Sequence, residues 1–168
     1  AAINYIRDLK GEAFQSNTWI KTGNDVVDAI LNQKRAEGSS KNINMDMKVS
    51  IPKDINIEAL DLCVILGNAL DNSIEANEKI EDVDKRYINI IMKPYKDYLF
   101  IEVSNPSILN PIGEDGKLRT TKKDKENHGF GMRSIEKIVE KYAGMLNYEY
   151  ENGQFILNIM LPLLRESS

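Results

Sequence analysis

The stretch 57–79 constrains this chain most: it is a long run of helical periodicity set between segments of strict alternation. Ala59, Leu62, Cys63, Leu66, Leu70 and Ile74 share one side of it at helical spacing and mark a core face. Before it, Met45, Met47, Val49 and Ile51 alternate with polar residues up to Pro52, a strand pattern. After it, Ile88, Ile90 and Met92 alternate in one segment and Leu99, Ile101 and Val103 in the next, with a tight link through Pro94 and Asp97. A one-sided helix among strands has to bury its apolar face against a sheet.

The remaining segments agree with that plan. Residues 1–37 read as helical, carrying Ile3, Ile6, Leu9 and Phe14, then Trp19 and Ile20. Polar punctuation falls at Lys21-Thr22-Gly23-Asn24, a second apolar stripe holds Val26, Val27, Ile30 and Leu31, and Gly38-Ser39-Ser40 breaks the pattern. After Gly129-Phe130-Gly131 a short helix is expected to about residue 143, with Met132, Ile135, Val139 and Tyr142 inward and Gly144 as its stop. Leu146, Tyr148 and Tyr150 lead to Asn152-Gly153, which favours a type I′ turn, and Phe155, Leu157, Ile159 and Leu161 return to Pro162. The expected fold is a two-layer α/β sandwich: a mixed, mostly antiparallel sheet covered on one face by helices, plus an N-terminal helix. Residues 106–128 have no period and hold Pro106, Pro111, Gly113, Gly116, Lys117, Arg119, Lys122, Lys123 and Lys125. A loop of that length in a small domain is functional or disordered.

Composition excludes several function classes. At 168 residues the chain suits one domain with a real core. Its 22 basic and 26 acidic residues give −4, which provides no footprint for duplex nucleic acid. One cysteine, Cys63, rules out an internal disulfide or a multi-cysteine zinc site, and one histidine, His128, rules out a histidine-rich metal site. There is no apolar run of spanning length and no signal-peptide pattern. A cytoplasmic location without membrane contact is therefore expected, and the start at Ala1 suggests a fragment of something longer.

Two polar features stand out. Asn68, Asp71, Asn72 and Glu75 fall within an arc of about 100° on the side of 57–79 away from the core face. Every amphipathic helix has a wet side, but Asn and Asp in mid-helix lose roughly 0.5 kcal/mol each against Ala. Carboxylate and carboxamide oxygens on one face are hard ligands suited to Mg²⁺. The second feature is Gly129-Phe130-Gly131 at the start of a helix, where backbone N–H groups attract anions and glycine admits a phosphate. Alone this is an ordinary loop-to-helix turn. A dinucleotide-binding reading fails for want of a leading strand and a third glycine, and no G-x-x-x-x-G-K-[ST] occurs.

Taken in order, these elements resemble the ATP-binding domain of the GHKL superfamily, which includes gyrase, the Hsp90 chaperones, MutL and sensor histidine kinases. Leu66-Gly67-Asn68-Ala69-Leu70-Asp71-Asn72-Ser73-Ile74-Glu75-Ala76 looks like its N-box, and His128-Gly129-Phe130-Gly131-Met132-Arg133-Ser134 like its G2 box. The resemblance spans about residues 24–164 and is nearest to sensor kinases of the peptide-pheromone quorum-sensing type, through Thr22-Gly23-Asn24, Asp28-Ala29-Ile30-Leu31 and Gln154-Phe155 to Leu161-Pro162. It implies that Asn72 binds Mg²⁺ with Asn68 lining the same site, and that Gly129 and Gly131 admit the phosphates of ATP within the box formed with His128, Phe130 and Met132. It makes 106–128 an ATP lid in which Lys122 or Lys123 neutralises phosphate. Residues 1–22 would be the remnant of a helical dimerisation domain, with the ATP-binding domain at 23–168.

The family's adenine-recognising D-x-G-x-G box is here Asn105-Pro106-Ser107-Ile108-Leu109, so Asn105 is expected to accept from the adenine amino group with a weaker, uncharged contact. Hydrolytic members carry a general-base Glu where Asn68 stands; a carboxamide cannot take a proton from water, so Asn68 favours a kinase. The implied partners are an acceptor-histidine helix, a downstream response regulator and a second copy in the full-length, membrane-anchored receptor. His128 borders the lid and is not expected to be the acceptor, so the fragment should not autophosphorylate alone. The alternatives are a non-catalytic binding module on this fold, a GHKL ATPase, and a serine-kinase variant like the anti-sigma factors.

Overall fold

The computed structural model describes residues 19–119 and 128–164, with the backbone alone for 128–130. The expected helix over 1–18, the candidates Lys122 and Lys123, and Lys125 lie outside the described residues.

Among the described residues three α-helices and five strands, with a 3-10 turn at Val83–Lys85 before β2, follow in the order α1 (Asp25–Ser40), β1 (Asn44–Val49), α2 (Ala59–Glu78), β2 (Tyr87–Tyr95), β3 (Tyr98–Pro106), α3 (His128–Lys141), β4 (Met145–Glu151) and β5 (Gln154–Pro162). The sheet runs β1-β2-β3-β5-β4. β1 and β2 are parallel and the other three pairings antiparallel, which is the mixed, mostly antiparallel sheet expected. A parallel pair needs a crossover, and α2 supplies it. Alternation sets the faces: Ile88, Ile90, Met92, Leu99, Ile101, Val103, Leu157, Ile159 and Leu161 are buried, while the residues between them in the central strands are partly exposed. Leu62, Ile65, Leu66, Leu70 and Ile74 of α2 and Ile135 of α3 complete that core.

The polar punctuation at 21–24 is a helix start. Asn24 caps α1 by accepting from Val27 N–H at 3.1 Å, and Thr22 donates from both N–H and Oγ1 to Asp28. Four expectations shift. Helix α1 runs through Gly38-Ser39 to Ser40, with Lys41 as its cap and the left-handed Asn42, φ +56°, turning the chain away. Helix α3 begins at His128, so both glycines of the G2 segment lie within its first turn and not ahead of it. The stop after α3 is Ala143 at φ +51°, not Gly144. There the N–H groups of Ala143 and Gly144 close onto Glu140 O (3.0 Å) and Val139 O (2.8 Å). Gly144 is glycine for another reason, because a Cβ on it would stand 2.6 Å from Met160 O in β5. Lastly, Cys63 and Ala59 are only half-buried, and the Cys63 thiol donates to Val26 O across the α1–α2 contact.

The loop after β3 is also more ordered than its lack of period suggests. Ile112 and Leu118 form a bridge, closed by Gly113 N–H to Lys117 O at 2.7 Å and turned at Gly116, φ +73°. Among the described residues no helix is long and apolar enough to cross a membrane.

Candidate functional site

Helix α2 carries the site, and its polar stripe divides three ways. Asp71 turns to α1 and pairs with Lys34 at 2.5 Å, while Lys34 also holds Glu37 at 2.9 Å. Burial pulls the Lys34 pKa down, but hydrogen bonds and charge from Asp71 and Glu37 outweigh it and leave it above the ordinary value. The hydrogen bond from Lys34 in turn lowers the pKa of Glu37.

Asn68 meets α3. A Cβ built on Gly131 would lie 3.2 Å from Asn68 Oδ1 and 3.6 Å from its Cβ, so the absence of a side chain at 131 sets how closely α2 and α3 approach. The Asn68 amide donates back to Val64 O at 2.9 Å, which holds the side chain in place. Two of the residues on which the G2 and N-box readings rest are thus neighbours in space. The first turn of a helix offers backbone N–H groups to an anion, and the described part of α3 starts beside this contact.

Asn72 and Glu75 line a cleft of about 510 Å³ between α2, the end of β3, the following loop and α3. Asn105, Met132, Lys79 and Arg119 share its wall with the apolar Ile108, Leu109, Leu118 and Phe155. Asn105 is only 2% exposed. Its Oδ1 accepts from Ser73 Oγ at 3.0 Å and its Nδ2 donates to Pro106 O at 2.9 Å. Ser73 Oγ also lies 3.0 Å from Ala69 O.

Of the residues picked out by sequence, Asn72, Asn105 and Met132 line this cleft, and Asn68 and Gly131 touch beside it. His128, Gly129 and Phe130 are in the first turn of α3. Sequence reasoning missed Lys79 and Arg119 as cleft residues. Lys79 had a signal, since it falls seven residues after Asn72 and four after Glu75 on the same helical face. Arg119 is among the basic residues of the 106–128 loop, but nothing in its spacing sets it apart from the others.

A clamp fixes the far end of this helix pair. Lys141 bonds Asp61 at 2.7 Å, Tyr142 Oη donates to the same carboxylate, and Glu58 N–H donates to Tyr142 Oη at 3.0 Å. The hydrogen bond from Lys141, then that from Tyr142, lowers the pKa of Asp61. Burial, then the bond to Asp61, raises that of Tyr142.

The chain is similar in sequence and in fold to known proteins. Residues 57–162 match the family model described as the GHKL domain. A probable C4-dicarboxylate sensor kinase of Halalkalibacterium halodurans is 29% identical over 177 residues, a match that takes in 98% of this chain and 32% of that protein's length. The catalytic domain of histidine kinase ThkA superposes with a TM-score of 0.65 at 18% identity, over 84% of this chain and 94% of that one. The Acinetobacter baumannii histidine kinase AdeS does so with 0.59 at 13% identity, over 95% of this chain and 77% of that one. At such identities the solved structures speak for the fold.

Proposed function

This chain belongs to the GHKL domain family, and on that premise we propose that it is the ATP-binding catalytic domain of a sensor histidine kinase, passing the γ-phosphoryl group of ATP to a histidine on a dimerisation helix. The observation that carries the proposal is the contact between Asn68 and Gly131 beside a cleft lined by Asn72, Asn105 and Met132. It brings carboxamide oxygens and a helix N-terminus to one place, the chemistry a magnesium–triphosphate requires.

The donor set fits Mg²⁺. Among the described residues no group of three or more His, Cys, Asp and Glu side chains could cage a metal. Mg²⁺ does not need one, because it keeps waters and takes phosphate oxygens, and Asn72 would hold it through its Oδ1. When bound, the ion neutralises charge on the phosphates. Asn68 lines the same site, and its amide cannot take a proton from water, which disfavours hydrolysis. Gly129 and Gly131, within the box of His128 and Phe130, leave room for phosphates at the α3 N-terminus. Lys122 or Lys123 in a lid at 106–128 would neutralise their charge, with Arg119 and Lys79 as further cations on the cleft.

The reading extends to the whole receptor. Residues 1–22 are the remnant of the dimerisation domain, the complete kinase is a membrane-anchored homodimer, and its product passes to a response regulator. Asn105-Pro106-Ser107 in place of D-x-G-x-G supports the peptide-pheromone quorum-sensing subgroup. A second reading, a non-catalytic binding module that has lost nucleotide affinity with its degenerate adenine box, is favoured by one observation: Asn105 Oδ1 is already engaged by Ser73.

Thermal melting with a non-hydrolysable Mg–ATP analogue separates the two. At one hundred times Kd, binding adds about 2.7 kcal/mol of stability. Asn72→Ala should remove that gain while leaving the unliganded protein folded. A wild-type melting curve that does not move at saturating analogue refutes the proposal.

A further inference from the structure

The wall of the cleft has two chemistries. Asn72, Glu75 and Lys79 make one part polar, whereas Ile108, Leu118 and Phe155 make another apolar. A triphosphate suits the first, and a flat heterocycle with a polar edge suits the second. Asn105 is the buried polar side chain on that wall, and its orientation is set. Pro106 O lies 2.9 Å from Nδ2, so turning the amide over would oppose two oxygens. Oδ1 therefore faces Ser73 Oγ, at 3.0 Å.

Counting donors and acceptors shows what is left for a ligand. Nδ2 carries two hydrogens, and Pro106 O takes one. Oδ1 carries two lone pairs, and Ser73 occupies at most one, because its single hydroxyl proton is shared with Ala69 O at 3.0 Å. Against the described residues, the Asn105 amide keeps one donor and one acceptor. A carboxylate at this position would have acceptors only.

We infer that this site admits 6-oxopurine nucleoside triphosphates alongside ATP, with Asn105 as the residue that sets the tolerance; the inference rests on the nucleotide reading above. Adenine presents a 6-amino donor, which the remaining lone pair of Oδ1 accepts. Hypoxanthine presents a 6-oxo acceptor, to which the second Nδ2 hydrogen donates. The apolar neighbours do not distinguish the two bases. A site that demands one hydrogen-bonding partner rejects the analogue lacking it by about 10⁴–10⁵-fold, because its own buried group is left unpaired. An amide able to answer either edge leaves one of its two groups unpaired with each base, so it rejects neither on that account.

The test is titration calorimetry of the whole chain with ATP and with ITP, each with Mg²⁺. The two dissociation constants are expected within about thirtyfold of each other, far below the discrimination of a one-sided site. ATP binding with ITP weaker than that overturns the inference and leaves the nucleotide reading standing. Binding of neither overturns the nucleotide reading, and the inference with it. Asn105→Asp keeps the size and removes the donor, so it should raise the preference for ATP over ITP by about tenfold or more. An unchanged ratio in that variant, with a native melting transition, overturns the role given to Asn105. Should Asn105→Asp fail to fold, the wild-type ratio decides alone.

Discussion

Three asparagines in α2 do different work, and their angles decide which. From Asn68, Asn72 is displaced by about 40° around the helix, whereas Asn77, nine residues on, is displaced by about 180°. Asn77 therefore points into the protein, where it is 0% exposed. Its Nδ2 donates to Ser73 O and Tyr87 O at 2.9 and 3.0 Å, and its Oδ1 accepts from Tyr87 N–H at 3.0 Å, tying the end of α2 to the start of β2. Asn77→Leu strands both backbone groups of Tyr87 and should destabilise the fold by about 2–4 kcal/mol in urea unfolding. Asn72→Ala, on the cleft, should shift the same curve by less than about 1 kcal/mol. The angle was readable in the sequence, but the partners that let an amide sit on an apolar face were not, since Tyr87 is ten residues away. The turn after α3 gives a second pair of variants. Ala143 holds the left-handed position, which disfavours any residue with a Cβ, so Ala143→Gly should stabilise by about 1 kcal/mol. Gly144→Ala forces a Cβ to within 2.6 Å of Met160 O and should destabilise instead. Chemical denaturation of the two single variants checks both signs.

Between elements, the contacts that grip α2 include Lys34 of α1 at Asp71, Gly131 of α3 at Asn68, and Lys141 and Tyr142 at Asp61. The third grip is sensitive to acid. Lys141 and Tyr142 lower the Asp61 pKa in the folded state, so its contribution to stability is complete above the ordinary carboxylate range. That contribution is lost as pH falls below about 4 and the folded-state pKa is crossed. Melting temperature followed against pH should fall in that window, and Asp61→Asn should flatten the fall. The middle grip concerns the site. Gly131→Ala puts a methyl 3.2 Å from Asn68 Oδ1, so α3 or the Asn68 side chain must give by a few tenths of an ångström. A displacement of that kind weakens nucleotide binding by about tenfold without unfolding the protein, which titration of wild type and variant will measure. Helices and strands of this length were legible because each carries two or more full periods. The 112–118 bridge was not, because a turn closed by Gly113 and Gly116 leaves too few residues to alternate.

At the scale of the molecule, the cleft can be set against a second hollow among the described residues that lies on different elements. The cleft of about 510 Å³ uses α2, the end of β3 and α3. A smaller hollow of about 180 Å³ lies among residues 52–56, 96–97 and 163–164, where Lys53 and Lys96 are also cations. Periodicity foretold neither, since each is made by residues far apart in the chain, and motif order alone pointed to the first. Hydrogen exchange tells them apart. A ligand adds stability in proportion to its differential affinity for the folded state. The amides that gain most are those that open locally in its absence, among few buried contacts. The described loop 106–119 meets that condition, with Ile108 62% and Leu109 78% exposed on the cleft. Mg–ATP analogue at one hundred times Kd should therefore slow exchange over 106–119 and at the start of α3. The segments 52–56 and 96–97, whose opening does not involve the cleft, should change no more than the protein as a whole. Protection confined to 52–56 and 96–97 would move the nucleotide to the smaller hollow, where neither Asn68 nor Asn72 could reach it.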